Sequence, residues 1–218
     1  MNKKELLIRY AVFILGLFIN SLGVALITKA DLGTSPISSI PFTLSLTFTP
    51  TLGQFTIIFS LLLILIQIIL ERKSYQPVQL LQIPVSVAFG YFIDFSAEYI
   101  FFWVQPESYI QAVIYLLLGC LILGFGVYIE VFANVVMLPG EGTVKSISKI
   151  LGTSFGTTKV AMDISMSVIA LLISLILSHQ IQGVREGTII AAVLVGFISR
   201  IFGRLCRPVA CRILAQAR

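Results

Sequence analysis

The hydrophobic pattern along the chain is one of long runs without charge: Tyr10 to Thr28, Ser74 to Ile93, Ser108 to Ile129 and Ile164 to Val184. Each has about the ~20 residues that an α-helix needs to cross the hydrocarbon core of a bilayer. Two further spans are predicted at Gly53 to Leu70 and Gly187 to Arg204, the second holding Arg200 about one turn from its end, close enough to snorkel to the interface. Two stretches break the pattern. "ADLGTSPISSIPFTLSL" follows the first span and "ANVVMLPGEGTVKSISKIL" follows the fourth, and both are too polar to face lipid.

The two breaks correspond to one another. Shifted by 103 positions, Gly16 falls on Gly119, Gly23 on Gly126, Ala30 on Ala133, Pro36 on Pro139 and Gly53 on Gly156, while Asp31 falls on Asn134; after a slip of three, Gly90 falls on Gly196. Three glycines and a proline at one offset define an internal repeat, 10–103 and 109–205. Three spans per repeat force the second copy to run through the membrane inverted, the plan of many secondary transporters. The predicted fold is all-α and integral to the membrane, one domain over 1–218. It has six transmembrane helices in two inverted three-helix repeats, with a basic cytoplasmic tail at 206–218.

Within each repeat the polar break is predicted to be a re-entrant element. An extended lead-in turns at Pro36 or Pro139 into a half-helix, because proline costs nothing in a first helical turn and non-helical backbone at membrane depth must be covered by protein or a polar cavity. Gly33, Gly140 and Gly142 serve these turns. An alternative makes each short segment a full crossing, giving eight spans, parallel repeats and Arg72-Lys73 outside.

Composition agrees with the class. The 218 residues are 57% hydrophobic and 11% charged, and the mean hydropathy is +1.00. The net charge of +5 reads as an orientation signal. Six spans with both termini in the cytoplasm leave Lys3, Lys4, Arg9, Arg72, Lys73, Lys145, Lys149, Lys159, Arg200, Arg204, Arg207, Arg212 and Arg218 inside and only Lys29 and Arg185 outside. The start of the chain loosely imitates a signal peptide, but the repeat argues that the first span is retained. No basic–aromatic interleaving suggests nucleic acid. The expected partners are the lipid bilayer, a small solute of unknown identity and, as a protein partner, a second copy of the chain.

The stretches "GVALITKADLGTSPISSIPFTLS" and "ANVVMLPGEGTVKSISK" resemble the YczE-type bacterial membrane proteins, in which an A-D-x-G-x-S-P stretch follows the first span. The resemblance, over roughly Gly23 to Asp163, implies a multispanning protein of the bacterial cytoplasmic membrane, related to the YitT group, whose members are often taken for transporters.

Ionisable groups within spans are costly and so are site candidates. Asp163 is the first of these, with Lys159 one turn before it as an ion-pair partner. Glu141 lies between two glycines at the start of the second half-helix, where the exposed N–H groups favour a carboxylate and hence a cation, a zwitterion or a proton-coupled solute as cargo. Asp31 and Asn134 precede the two turns and can bind the backbone of the lead-ins. Ser35, Ser38, Ser39, Thr43 and Thr143 can present hydroxyls to a solute or bond to the helix backbone. Glu130, Asp94 and Glu98 read as interface residues, His179 as a loop residue, and Cys120, Cys206 and Cys211 as neither disulfide nor zinc ligands.

No Walker A, Ser-His-Asp, HExxH or dinucleotide fingerprint is present, so the reading is no enzyme, no cofactor and no metal. The expected function is secondary transport of a small polar solute by alternating access, with proton coupling through the acids. The alternatives are a membrane-embedded substrate-binding subunit of an energised uptake complex and a channel-like pore.

Overall fold

The computed structural model describes residues 3–205. The described residues form eight α-helices: α1 (Lys3–Lys29), α2 (Ser39–Thr47), α3 (Leu52–Glu71), α4 (Gln82–Phe95), α5 (Tyr109–Ala133), α6 (Pro139–Leu151), α7 (Phe155–Ser178) and α8 (Glu186–Leu205). A 3-10 turn, Pro77–Leu81, leads into α4 and a π turn, Ser96–Ile100, extends it. Six segments are long and apolar enough to cross a membrane: Lys4–Lys29, Leu52–Glu71, Pro77–Ile100, Tyr109–Ala133, Phe155–Ser178 and Glu186–Leu205. The tail 206–218, with Cys206 and Cys211, lies outside the described residues.

Local chemistry sets the ends of these helices. Thr51 and Gln54 form a reciprocal capping box at the start of α3, and Ser108 caps α5 by accepting from the Gln111 N–H. The fifth span starts earlier than hydropathy predicts, at Phe155 rather than Ile164. Ser154 accepts from the Thr157 N–H at that point, and Lys159 pairs with Asp163 one turn on, so a charged turn is carried inside the helix. It also ends earlier, at His179, which adopts a left-handed conformation with φ 53°.

The centre of the molecule is an antiparallel pair, α1 on α5. A methyl group placed on Gly23 would stand 2.5 Å from the Leu123 nitrogen, and one on Gly126 would stand 2.5 Å from the Asn20 nitrogen. Toward the ends of the seam, Gly16 faces Ile129 and Glu130 while Gly119 faces Ile27. Apolar helices in lipid gain little from burying more oil, so close backbone approach at small residues is what holds such a pair. Leu17, Val24, Ile27, Leu116, Cys120 and Leu123 fill the spaces beside the glycines. α1 is the most enclosed span and α8 the least. The outer surfaces carry exposed leucine and isoleucine, which suit contact with lipid.

The second centre is made by the two short helices, which both pack between α3 and α7. Pro36 opens a 3-10 turn after an extended Ser35 with ψ 148°, and Pro139 opens α6 after an extended Leu138 with ψ 150°. The two starts meet: a methyl group placed on Gly140 would overlap Ile37 Cδ1, so the isoleucine side chain would have to move. α4 packs closely along α3, and α8 packs on α5.

Candidate functional site

A cavity of about 260 Å³ opens beside the start of α6. One wall is the extended segment Asn134 to Leu138, and the opposite wall is the approach to α4, from Gln76 to Gln82. Three carboxylates, Glu71, Glu130 and Glu141, and one ammonium, Lys145, line it, so the charge balance of the wall is acidic. Asn134 has a left-handed conformation, φ 49°, and caps α5, which turns the chain out of the helix and along the cavity.

Each acid is placed by a different element. Glu130, 6% exposed, accepts a 2.8 Å hydrogen bond from the Asn20 amide across the α1–α5 seam. Glu71, at the end of α3, accepts from the Ser146 hydroxyl at 2.6 Å. Glu141 sits in the first turn of α6, half-buried. Burial pushes its carboxyl above the ordinary range; Lys159 pulls it back and Asp163 adds to the rise.

A glutamine pair secures the start of α6. Gln67 and Gln82 exchange hydrogen bonds at 3.2 and 3.3 Å, and Gln67 also donates to the Pro139 carbonyl at 3.0 Å. Gly142 permits this, since a methyl there would stand 2.6 Å from Gln67 Oε1. Both glutamines are almost fully buried, and an amide pair that satisfies itself is a stable way to keep polar groups inside.

The residues singled out in the sequence fall into three groups. Glu141, Asn134 and Gly142 line the cavity. Asp163 does not. It lies on α7 in its ion pair with Lys159, close enough to act on the charge of Glu141 but off the cavity wall. Most of the hydroxyls are spent internally: Ser35 donates to Ser38, Ser39 to the Pro36 carbonyl, and Thr143 to the Pro139 carbonyl at 2.8 Å, whereas Thr43 Oγ1 is buried with no hydrogen-bond partner among the described residues.

The first lead-in is covered rather than open. Asp31, with φ 56°, is exposed and pairs with Arg185 at 3.7 Å, and the Arg185 guanidinium donates to the Asp31 carbonyl at 2.9 Å. Gly33, at φ 105°, lies against Arg185 and Thr188.

Asn20, Gln67, Glu71, Gln82 and Glu130 belong to the site although the sequence does not mark them as site residues. Glu130 reads as an interface residue because it ends its span. The available signal is Asn20, a lone amide in an apolar run, which in a membrane calls for a partner.

These features define a helical membrane protein with six candidate spans and an acidic cavity at the junction of two short helices. The chain belongs to the family of unknown function DUF6198, whose model matches residues 7–204. It is 28% identical over 202 residues to the uncharacterized membrane protein YczE of Bacillus subtilis (strain 168), an alignment covering 91% of this chain and 86% of that relative. No solved structure matches the chain. The resemblance read from the two polar motifs is thereby established.

Proposed function

We propose that this protein is a secondary transporter of a small polar solute, working by alternating access and coupled to protons through Glu130 and Glu141. The observation that carries the reading is the acidic cavity beside the touching starts of the two short helices. Glu130 and Glu141 are titratable groups on the wall of one cavity, and a wall with three acids and one lysine suits a cation or a zwitterion.

The inverted plan is supported by the seam contacts. Gly23 meets Leu123, and Gly126 meets Asn20. Since 126 is 23 shifted by 103 and 123 is 20 shifted by 103, exchanging the two halves returns the same contact. Ile37 and Gly140, which touch, are likewise 103 apart. The helices so related are antiparallel, so the axis that relates them is perpendicular to both and lies in the membrane plane.

The lengths of α2 and α6 support re-entrant elements over an eight-span plan. At nine and thirteen residues they reach roughly 14 and 20 Å, against a hydrocarbon core of about 30 Å. The site belongs in the bacterial cytoplasmic membrane with both termini inside, since that orientation keeps Arg72, Lys145, Lys149 and Lys159 in the cytoplasm. Single cysteines should report it: Ser74→Cys shielded from an impermeant external thiol reagent, Ser108→Cys and Gln180→Cys labelled. Labelling at position 74 from outside overturns the orientation.

The test of function is reconstitution into liposomes. A thermal-shift screen of the purified protein selects solutes, because a ligand of the folded state stabilises it by mass action. Accumulation of a selected solute by the protein alone, driven by a pH gradient, supports transport. Binding without uptake, or uptake only after an ATPase module is supplied, replaces it with the binding-subunit reading.

A further inference from the structure

The two halves of the molecule share a chain plan but differ in how closely each polar lead-in is covered. The first lead-in, Leu32 to Ser35, is buried. The start of α8 lies directly on it: the Gly187 N–H donates to the Leu32 carbonyl at 2.8 Å, and the Thr34 N–H donates to Thr188 Oγ1 at 3.3 Å. Gly187 is needed there, since any side chain would run into the Leu32 carbonyl. The second lead-in, Asn134 to Leu138, is partly open and forms a wall of the cavity. With the 106-residue offset of this part of the repeat, the counterpart of Arg185 to Thr188 is Gln79 to Gln82, which stands across the cavity from it. Gln79 Oε1 is buried with no hydrogen-bond partner among the described residues. Its counterpart, Arg185, is the side chain that latches onto Asp31.

The helices behind these segments differ in the opposite sense. α4 is drawn against α3, where Asp94 accepts from the Thr51 hydroxyl at 2.6 Å and the Gly53 N–H at 2.8 Å. Gly53 and Gly90 are in backbone contact. α8 does not pack along α7, and a methyl on Gly156 or Gly196, the counterparts of Gly53 and Gly90, would meet nothing within 4 Å. So the helix that lies on its long neighbour leaves its lead-in open, and the helix that lies on its lead-in leaves its neighbour. In this structure α4 holds the first of these positions and α8 the second.

We propose that the segments 79–82 and 185–188 are a pair of gates shut in alternation over the two extended lead-ins, and that this structure is the state with the 185–188 gate shut. The proposal rests on the transport reading and specifies how access to its cavity is controlled. In the other state 79–82 lies on 134–138, and α8 lies on α7 at Gly156. The shut gate is held by backbone and hydroxyl bonds more than by the exposed Asp31–Arg185 pair, which is worth little in water.

Two cysteine pairs report the other state in membranes, in a chain whose Cys120, Cys206 and Cys211 are replaced. They are Gln79→Cys with Val135→Cys, and Gly156→Cys with Gly196→Cys, each cross-linked by oxidation. The resting protein should give a low yield for both. Breaking the latch with Gly187→Val should raise both yields together, several-fold. Thr188→Val, which keeps the shape and removes the hydroxyl, should do so more weakly and serves if Gly187→Val does not fold. Yields that stay at background in a monodisperse latch variant overturn the gates, as does a cross-link that doubles the mass by joining two copies. The readout needs no solute. Yields that rise while no uptake is ever found support the gates and remove the transport reading, and uptake with unresponsive yields does the reverse.

Discussion

Gly23→Val should cost the protein its fold, whereas Gly156→Val should leave it intact. A methyl group placed on Gly23 would stand 2.5 Å from the Leu123 nitrogen and 2.6 Å from its Cα, and backbone cannot turn aside as a flexible side chain can. Overpacking of ordinary core positions costs about 1–3 kcal/mol, and a contact that separates two helices along their length should reach at least the upper end, ~3 kcal/mol. Separation would also stretch the Asn20–Glu130 bond on the same seam. Gly126→Val should behave like Gly23→Val, since it meets Asn20 in the related contact. Gly156 has open space around it. The measurement is the fraction of protein that remains monodisperse after extraction in detergent, followed by its thermal midpoint. A Gly23→Val protein as stable as the parent would mean that the glycine seam is not what holds α1 to α5.

The second large effect is expected at Glu130, where charge and structure can be separated. Glu130→Gln keeps an oxygen to accept from Asn20 and removes only the titratable group. Its thermal midpoint should stay near that of the parent, while pH-driven accumulation in liposomes falls about tenfold or more, equivalent to ~1.4 kcal/mol or more on the coupled step. Exchange of solute across the membrane, which moves no net protons, should persist. Glu130→Ala differs, because it strands a buried amide at a cost of about 1–3 kcal/mol and should lower stability as well as transport. Undiminished pH-driven accumulation by Glu130→Gln would assign the coupling elsewhere, with Glu141 the next group to replace.

The class, the six spans and the two polar breaks are legible in the amino-acid sequence alone. They depend on local quantities: a run of about twenty apolar residues, a proline that can only open a helix, and a glycine such as Gly33 at φ 105° where other residues strain. The glycines that recur at one offset, Gly16 with Gly119 and Gly23 with Gly126, are also legible there, and they are the positions that form the α1–α5 seam. Even so, hydropathy misplaces the start of α7 by nine residues, because it counts Lys159 and Asp163 as two charges where the helix makes them a pair. Which polar groups face one another is settled by helix packing and by nothing more local. Asn20 and Glu130 are 110 positions apart, and Gln67 is 72 from the carbonyl it secures at Pro139. No local pattern records such distances, since they follow from which helices lie side by side. The hydroxyls of Ser35, Ser38 and Ser39 look available in the sequence for a different reason: their bonds span only three residues, but they form only once the turn at Pro36 has folded. The difference between the covered and the open lead-in is further still from the sequence, because it follows from where the start of α8 and the approach to α4 come to lie.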